Sequence, residues 1–106
     1  MTLTDYQSHA KRTSAAPWPE RERLLVQTLG LCGEAGEIAD LIKKHAWHGR
    51  ELDRTEIANE LGDVLWYVAD LSTALGLSLD DVATRNVEKL RRRYPDGFTL
   101  GGGVRS

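Results

Sequence analysis

The chain has 106 residues, of which 41% are hydrophobic and 28% are charged, and its formal net charge is −2. This near-neutral charge argues against a nucleic-acid-binding surface, and no window approaches the 18 or so uninterrupted apolar residues of a membrane span. A single domain of this size can bury one core, and association with further subunits often completes the burial.

The N-terminus and the cysteine content predict the compartment. The first residues lack the apolar run of a secretory signal, and Cys32 is the only cysteine, so no disulfide can form within the chain. We therefore expect an intracellular, cytoplasmic protein. Cys32 lies among apolar residues of a predicted helix, and we expect it to be buried rather than nucleophilic.

The pattern in the first half of the chain predicts two helices, because apolar residues recur at three- and four-residue steps. The first is expected over residues 3–12, with Thr2 or Thr4 as its N-cap, ahead of a loop that ends at Pro19. The second is expected over residues 20–46, and Gly49 ends that region. Its predicted apolar stripe consists of Leu25, Leu29, Cys32, Ala35, Ile38, Leu41 and Ile42.

Two further helices are predicted in the second half. Asp53 and Glu56 form a capping arrangement for the third, which ends near residue 75 at Gly76. Ser78 caps the fourth, which runs to Arg93. The buried face predicted for the third helix consists of Ile57, Leu61, Val64, Leu65, Val68 and Leu71. The prediction is thus an all-α domain over residues 1–98, followed by a flexible tail at 99–106.

Acidic residues form two pairs on the second and third helices. Glu34 precedes Glu37 by three residues, as Glu60 precedes Asp63, and residues three apart lie on one helix face. The two pairs are equally distant from a turn near His48. In an antiparallel hairpin, the four carboxylates are therefore predicted to converge between the two helices.

Such a cluster needs a compensating positive charge. Ligand sets made only of oxygen favour Mg²⁺, with Mn²⁺ as a substitute. Glycines flank the acids and indicate either a close helix crossing or room for a ligand; they are Gly30, Gly33, Gly36 and Gly62. The simpler alternative is a solvated acidic face, since acids three residues apart are common on helix surfaces.

Three segments carry a family resemblance: GLCGEAGEIADLIKK, NELGDVLWYVADLS and SLDDVATRNVEKLRRRYPDGF. In this order they resemble the MazG-like family of all-α nucleoside triphosphate pyrophosphohydrolases, over about residues 24–98. The resemblance implies an antiparallel four-helix core assembled as a dimer or a dimer of dimers. It also implies Mg²⁺-dependent hydrolysis of a nucleoside triphosphate between the α- and β-phosphates. Among the roles that this reaction can serve, we favour nucleotide-pool house-cleaning.

The resemblance assigns roles to individual residues. It implies that Mg²⁺ is bound by Glu34, Glu37, Glu60 and Asp63. Glu37 is our candidate for the group that orients or deprotonates the attacking water. The residues implied to contact the substrate are Lys43 or Lys44, Tyr67, Asn86, Lys89 and Arg93. The cations among them have an ordinary alternative, because positive side chains in the last turn of a helix complement its dipole.

Other functions fit parts of the pattern. A di-iron bundle normally pairs Glu with His three residues later, and neither Glu34 nor Glu60 is followed by such a His. A phosphoribosyl-ATP pyrophosphohydrolase-like enzyme and a non-catalytic helical metal-binding or interaction protein are the remaining alternatives. Spacing leaves open the preferred base and sugar, the number of metal ions, and which of Lys43 and Lys44 faces the substrate.

Overall fold

The computed structural model describes residues 1–14 and 18–97, which form four α-helices and no strand. The helices are α1 (Leu3–Arg12), α2 (Glu20–His48), α3 (Arg54–Ala74) and α4 (Leu79–Arg93). The all-α prediction is confirmed, and each predicted helix end lies within two residues of the observed one. The predicted tail at 99–106, and residues 15–17 of the predicted loop, lie outside the described residues.

Local capping explains where the helices begin. The hydroxyl of Thr2 accepts a hydrogen bond from the backbone N–H of Asp5, and the Asp5 carboxylate accepts one from the N–H of Thr2. Asp53 accepts two backbone hydrogen bonds from the first turn of α3, and Ser78 accepts one from the first turn of α4. Each cap satisfies N–H groups that have no partner inside the helix.

Two glycines explain where the long helices end. Gly49 follows α2 with φ 66°, and Gly76 follows the C-cap of α3 with φ 70°. This left-handed backbone is strained for residues with a Cβ atom, so both positions favour glycine.

Helix α3 lies at the centre of the fold and packs against α1, α2 and α4. The helices α2 and α3 form an antiparallel hairpin. Gln27 donates a hydrogen bond to Asp70, and Gly30 lies against the ring of Tyr67. In both pairs, the two residues are equally distant along the chain from a point near His48. This is the register that the sequence predicts for the acids.

A single side chain connects α1 to the turn between α3 and α4. The Nε2 atom of Gln7 donates to the Thr73 hydroxyl at 3.0 Å and to the Leu77 carbonyl at 2.9 Å. Its Oε1 atom accepts from the N–H of Leu79 at 2.7 Å. Since this N–H lies in the first turn of α4, Gln7 holds the start of that helix against the core.

The core within one chain is small. Among the described residues, the buried hydrophobic side chains are Ala10, Ala69 and Leu79. The buried face predicted for α3 is wrong at Leu61 and Leu65, which are exposed. The stripe predicted for α2 is likewise largely exposed, namely at Leu25, Leu29, Cys32, Ala35 and Ile42. The reason is that α3 is the only described helix that packs against α2, and it covers one side of that helix.

The molecule is also more open than a compact monomer. Its Cα radius of gyration is 16.7 Å, compared with about 13 Å for a compact domain of this length. Helix α4 contacts α1 and α3, but among the described residues it makes no packing contact with α2. The four helices therefore do not close into a bundle within one chain. None of the described helices is long and apolar enough to cross a membrane.

Candidate active site

Three carboxylates meet where α2 and α3 face each other. Glu34 and Glu37 extend from successive turns of α2, and Glu60 extends from α3. One carboxylate oxygen from each residue lies within 4.8 Å of those from the other two. The hairpin register therefore brings together three of the four predicted metal ligands.

The cluster is electrostatically unfavourable in the absence of a cation. The neighbouring carboxyl group of Glu60, through its hydrogen bonding and then its charge, raises the pKa of Glu37. The pKa of Glu60 is raised mainly by the carboxyl group of Glu34. The hydrogen bond with the neighbouring carboxyl group is the largest cause of both pKa shifts, and the negative charge of that group adds to it.

The donor set fits a divalent cation. The Oε2 atoms of Glu34 and Glu60 are both buried, and neither has a hydrogen-bond partner. Buried carboxylate oxygens normally have a partner, and close carboxylates without one match the way hard cations such as Mg²⁺ are held. The residues present are therefore suited to binding such an ion.

Asp63 lies beside this group but not in it. It is one turn away from Glu60 on α3 and is exposed. Burial, followed by the charge of Asp63, raises the pKa of Tyr6 on α1. After the neighbouring glutamates, the charge of Asp63 makes a smaller contribution to the raised pKa of Glu37 and of Glu60, so Asp63 lies close to the cluster as well as to α1. Its predicted role as a fourth ligand remains a prediction.

An open groove of about 410 Å³ runs along the acids. Glu37 and Glu60 line it, together with Asp40, Lys44 and Arg50. A larger cavity of about 780 Å³ lies next to it, around the connection between α2 and α3. The larger cavity does not include the three clustered acids, so the smaller groove is the candidate active site.

The glycines of α2 have two different environments. A Cβ atom at Gly30 would overlap the ring of Tyr67, so this glycine permits a close helix crossing. Gly33 and Gly36 line the groove, and a Cβ atom at either would meet nothing within 4 Å. Gly62 is equally open. Packing within the chain therefore explains only Gly30.

Comparison with known protein families shows that a known domain covers this site. The MazG nucleotide pyrophosphohydrolase domain matches residues 24–98, which include all three clustered acids. The chain belongs to the MazG family. Membership confirms the resemblance and supports a hydrolase that acts on the pyrophosphate bonds of nucleotides.

The chain is also similar to individual proteins. The Gene 37 protein of Mycobacterium phage L5 is 43% identical, over 77% of this chain and 75% of its own length. The dCTP pyrophosphatase 1 proteins of Bos taurus and Homo sapiens are 29% and 30% identical, over 94% and 89% of this chain. The chain spans 63% and 59% of those two mammalian proteins. No solved structure matches the chain significantly.

The two candidate lysines of the MazG domain differ in position. Both form ion pairs with Asp40, Lys43 at 3.5 Å and Lys44 at 2.7 Å. The Lys44 ammonium group, as the main cause, lowers the pKa of Asp40. Only Lys44 lines the groove, so the structure favours Lys44 over Lys43 as the cation that faces the site.

The other predicted substrate contacts of this MazG domain lie outside the groove. Asn86 and Lys89 are exposed and Arg93 is half-buried on α4, which does not pack against α2 among the described residues. Tyr67 lies between Gly30 and the ring of Trp66, with the two ring centroids 5.0 Å apart in an edge-to-face arrangement. The roles of these four residues remain predictions.

Sequence reasoning missed three charged residues in the groove: Asp40, Arg50 and Glu56, the last of which was predicted only as part of a helix cap. Asp40 continues the three-residue spacing of Glu34 and Glu37, so the pattern itself contained the signal. Arg50 follows the glycine that ends α2 and belongs to no periodic pattern. Its position became apparent only from the fold.

Proposed function

We propose that this protein is a Mg²⁺-dependent nucleoside triphosphate pyrophosphohydrolase. It cleaves an NTP or dNTP between the α- and β-phosphates and releases a nucleoside monophosphate and pyrophosphate. The single observation that supports this best is the cluster of Glu34, Glu37 and Glu60, which contains two buried carboxylate oxygens without partners. Membership of the MazG family supplies the reaction class.

The acids hold the metal in this proposal. Glu34 and Glu60 are half-buried and bind the ion, Glu37 completes the set, and Asp63 joins from the next turn of α3. When bound, Mg²⁺ neutralises phosphate charge and lowers the pKa of a water molecule; Mn²⁺ is expected to substitute.

Glu37 has a second role in the proposal. It is the exposed member of the cluster, and so it reaches the water that attacks the α-phosphorus. Its carboxylate accepts the proton of that water as the new P–O bond forms. The bond between the α-phosphorus and the bridging oxygen then breaks, and pyrophosphate leaves with the bonding electron pair. Lys44 stabilises the charge that develops on the leaving group.

A second subunit completes the site in this proposal. The apolar outer face of α2 is exposed, and the basic end of α4 does not reach α2 of its own chain. A homodimer, alone or paired into a tetramer, covers the apolar outer face of α2. It also brings Asn86, Lys89 and Arg93 to the acids of a neighbouring copy, where they contact the substrate.

Deoxynucleotides are the first substrates to test. The two mammalian relatives described above are dCTP pyrophosphatases, so dCTP is the first substrate to test in a panel of canonical and modified nucleotides. A house-cleaning role follows if modified nucleotides are preferred. Tyr67 is the proposed stacking surface for the base or the ribose.

The test is release of pyrophosphate and monophosphate from this panel, with Mg²⁺ and with chelator, by wild type, Glu37→Gln and Glu22→Gln. We expect Glu37→Gln to lose turnover by a factor of about 100 or more while nucleotide binding survives. Glu22→Gln is the matched control, since Glu22 is exposed at the far end of the same helix. Undiminished turnover in Glu37→Gln would remove Glu37 from the mechanism. If the folded wild type hydrolyses no nucleotide of the panel, the result would favour a phosphoribosyl-ATP pyrophosphohydrolase-like enzyme or a non-catalytic protein.

A further inference from the structure

Arg50 lines the groove that contains Glu37 and Glu60, and none of the roles above uses it. We propose that Arg50 binds the pyrophosphate half of the substrate and thereby sets the direction in which a nucleoside triphosphate lies in the groove. This inference rests on the proposed function and deepens it.

The backbone around Arg50 is fixed relative to Lys44. Gly49 adopts a left-handed conformation, and the N–H groups of Gly49 and Arg50 both donate to the Lys44 carbonyl, the latter at 3.2 Å. The Nδ1 atom of His45 lies 2.8 Å from the carbonyl oxygen of Arg50. Because a carbonyl oxygen only accepts, Nδ1 carries the proton. The backbone of Arg50 is thus fixed close to that of Lys44 at the end of α2.

The guanidinium group of Arg50 has no carboxylate partner. In the part of the chain that the structure describes, the ion-paired cations are Arg23, Lys43, Lys44 and Arg85. Arg50 forms no such pair, although Glu37, Glu56 and Glu60 line the same groove. Its donors are therefore free for another anion, and a guanidinium group binds phosphate oxygens in a two-pronged geometry.

The side chains on the two sides of the acids differ in chemistry, and this gives the direction. Gly30 and Lys44 each lie seven residues from Glu37 along α2, about 10 Å of helix rise to either side. On the Gly30 side, beyond the residues that line the groove, lies the Tyr67 ring. On the other side, Lys44 and Arg50 line the groove itself. The aromatic side suits a nucleoside, and the cationic side suits the pyrophosphate. The bond to be cleaved then lies at the acids.

The test measures binding of inorganic pyrophosphate and, separately, of a nucleoside monophosphate to the Mg²⁺-loaded protein by calorimetry. We expect Arg50→Ala to weaken pyrophosphate binding at least tenfold and to leave monophosphate binding within twofold of wild type. Arg50→Lys should recover part of the loss. Arg54→Ala is the matched control, because Arg54 lines only the larger cavity. A cation that merely complements the dipole of α2 would change thermal stability without this selective loss.

Three results would overturn the proposal: undetectable pyrophosphate binding by wild type, equal weakening of both ligands in Arg50→Ala, or equal weakening of pyrophosphate binding in Arg54→Ala. Turnover assays of the same variants separate this proposal from the proposed function. If wild type hydrolyses nucleotides and Arg50→Ala binds pyrophosphate normally, only the role of Arg50 fails. If wild type lacks turnover while pyrophosphate binding depends on Arg50, the anion site stands and the proposed reaction fails.

Discussion

Asp70 is a fully buried carboxylate, and both of its oxygens are hydrogen-bonded. Arg23 donates to one oxygen at 2.7 Å, and Gln27 donates to the other. Burial by itself would raise the pKa of Asp70, but the hydrogen bonds from Arg23, Gln27 and Ser14 outweigh it, and the pKa is lowered. The ionised form is therefore the one that stabilises the contact between α2 and α3.

We expect Asp70→Asn to lower the free energy of unfolding at pH 7 by about 2–3 kcal/mol, less than the roughly 3–5 kcal/mol of a fully buried pair. The reason for the difference is that the Arg23 side chain is 24% exposed. Urea unfolding at fixed protein concentration measures this change in the free energy of unfolding. Asp96→Asn is the control, because Asp96 is exposed.

The pH dependence of the Asp70→Asn effect follows from the sign of the pKa shift. A carboxylate whose folded pKa lies below the unfolded value of about 3.9 contributes stability above that pH and loses it as the pH falls through the folded pKa. The difference between wild type and variant should therefore shrink between pH 7 and pH 3. A difference that is constant over this range would mean that the ionised carboxylate is not its source.

At the scale of the helices, the sequence predicted boundaries well and buried faces poorly. The boundaries are set by contacts within a few residues, such as those of Thr2, Asp53 and Gly76, and those contacts are encoded locally. Which face of α2 is covered depends on the position of other helices. Leu25 and Leu29 have the pattern of a buried face, yet α3 packs on the opposite side of the helix.

This exposed face of α2 gives a prediction about assembly. We expect wild type to sediment as a dimer or tetramer, and Leu29→Glu to shift it towards monomer, because the variant introduces a charge into an apolar contact. Leu75→Glu is the control, since Leu75 is exposed to a similar degree and does not lie on α2. A monomeric wild type, or an assembly that only Leu75→Glu disrupts, would contradict this use of the α2 face.

At the scale of the whole molecule, the hairpin of α2 and α3 contains the reactive groups. The sequence predicted that Glu34, Glu37 and Glu60 would meet, because a short connection fixes the register of an antiparallel pair. It did not predict that Asp63 would lie to one side, or that Arg50 would line the groove. Those two positions depend on helix rotation and on the path of a loop, and neither is encoded in residue spacing.

The most direct test of the proposed reaction is to identify, by ³¹P nuclear magnetic resonance, the products formed from the best nucleotide of the panel. With Mg²⁺ present, we expect a nucleoside monophosphate and pyrophosphate in equal amounts, and we expect no reaction after chelation. A nucleoside diphosphate and orthophosphate as products, or hydrolysis that is insensitive to the chelator, would contradict it.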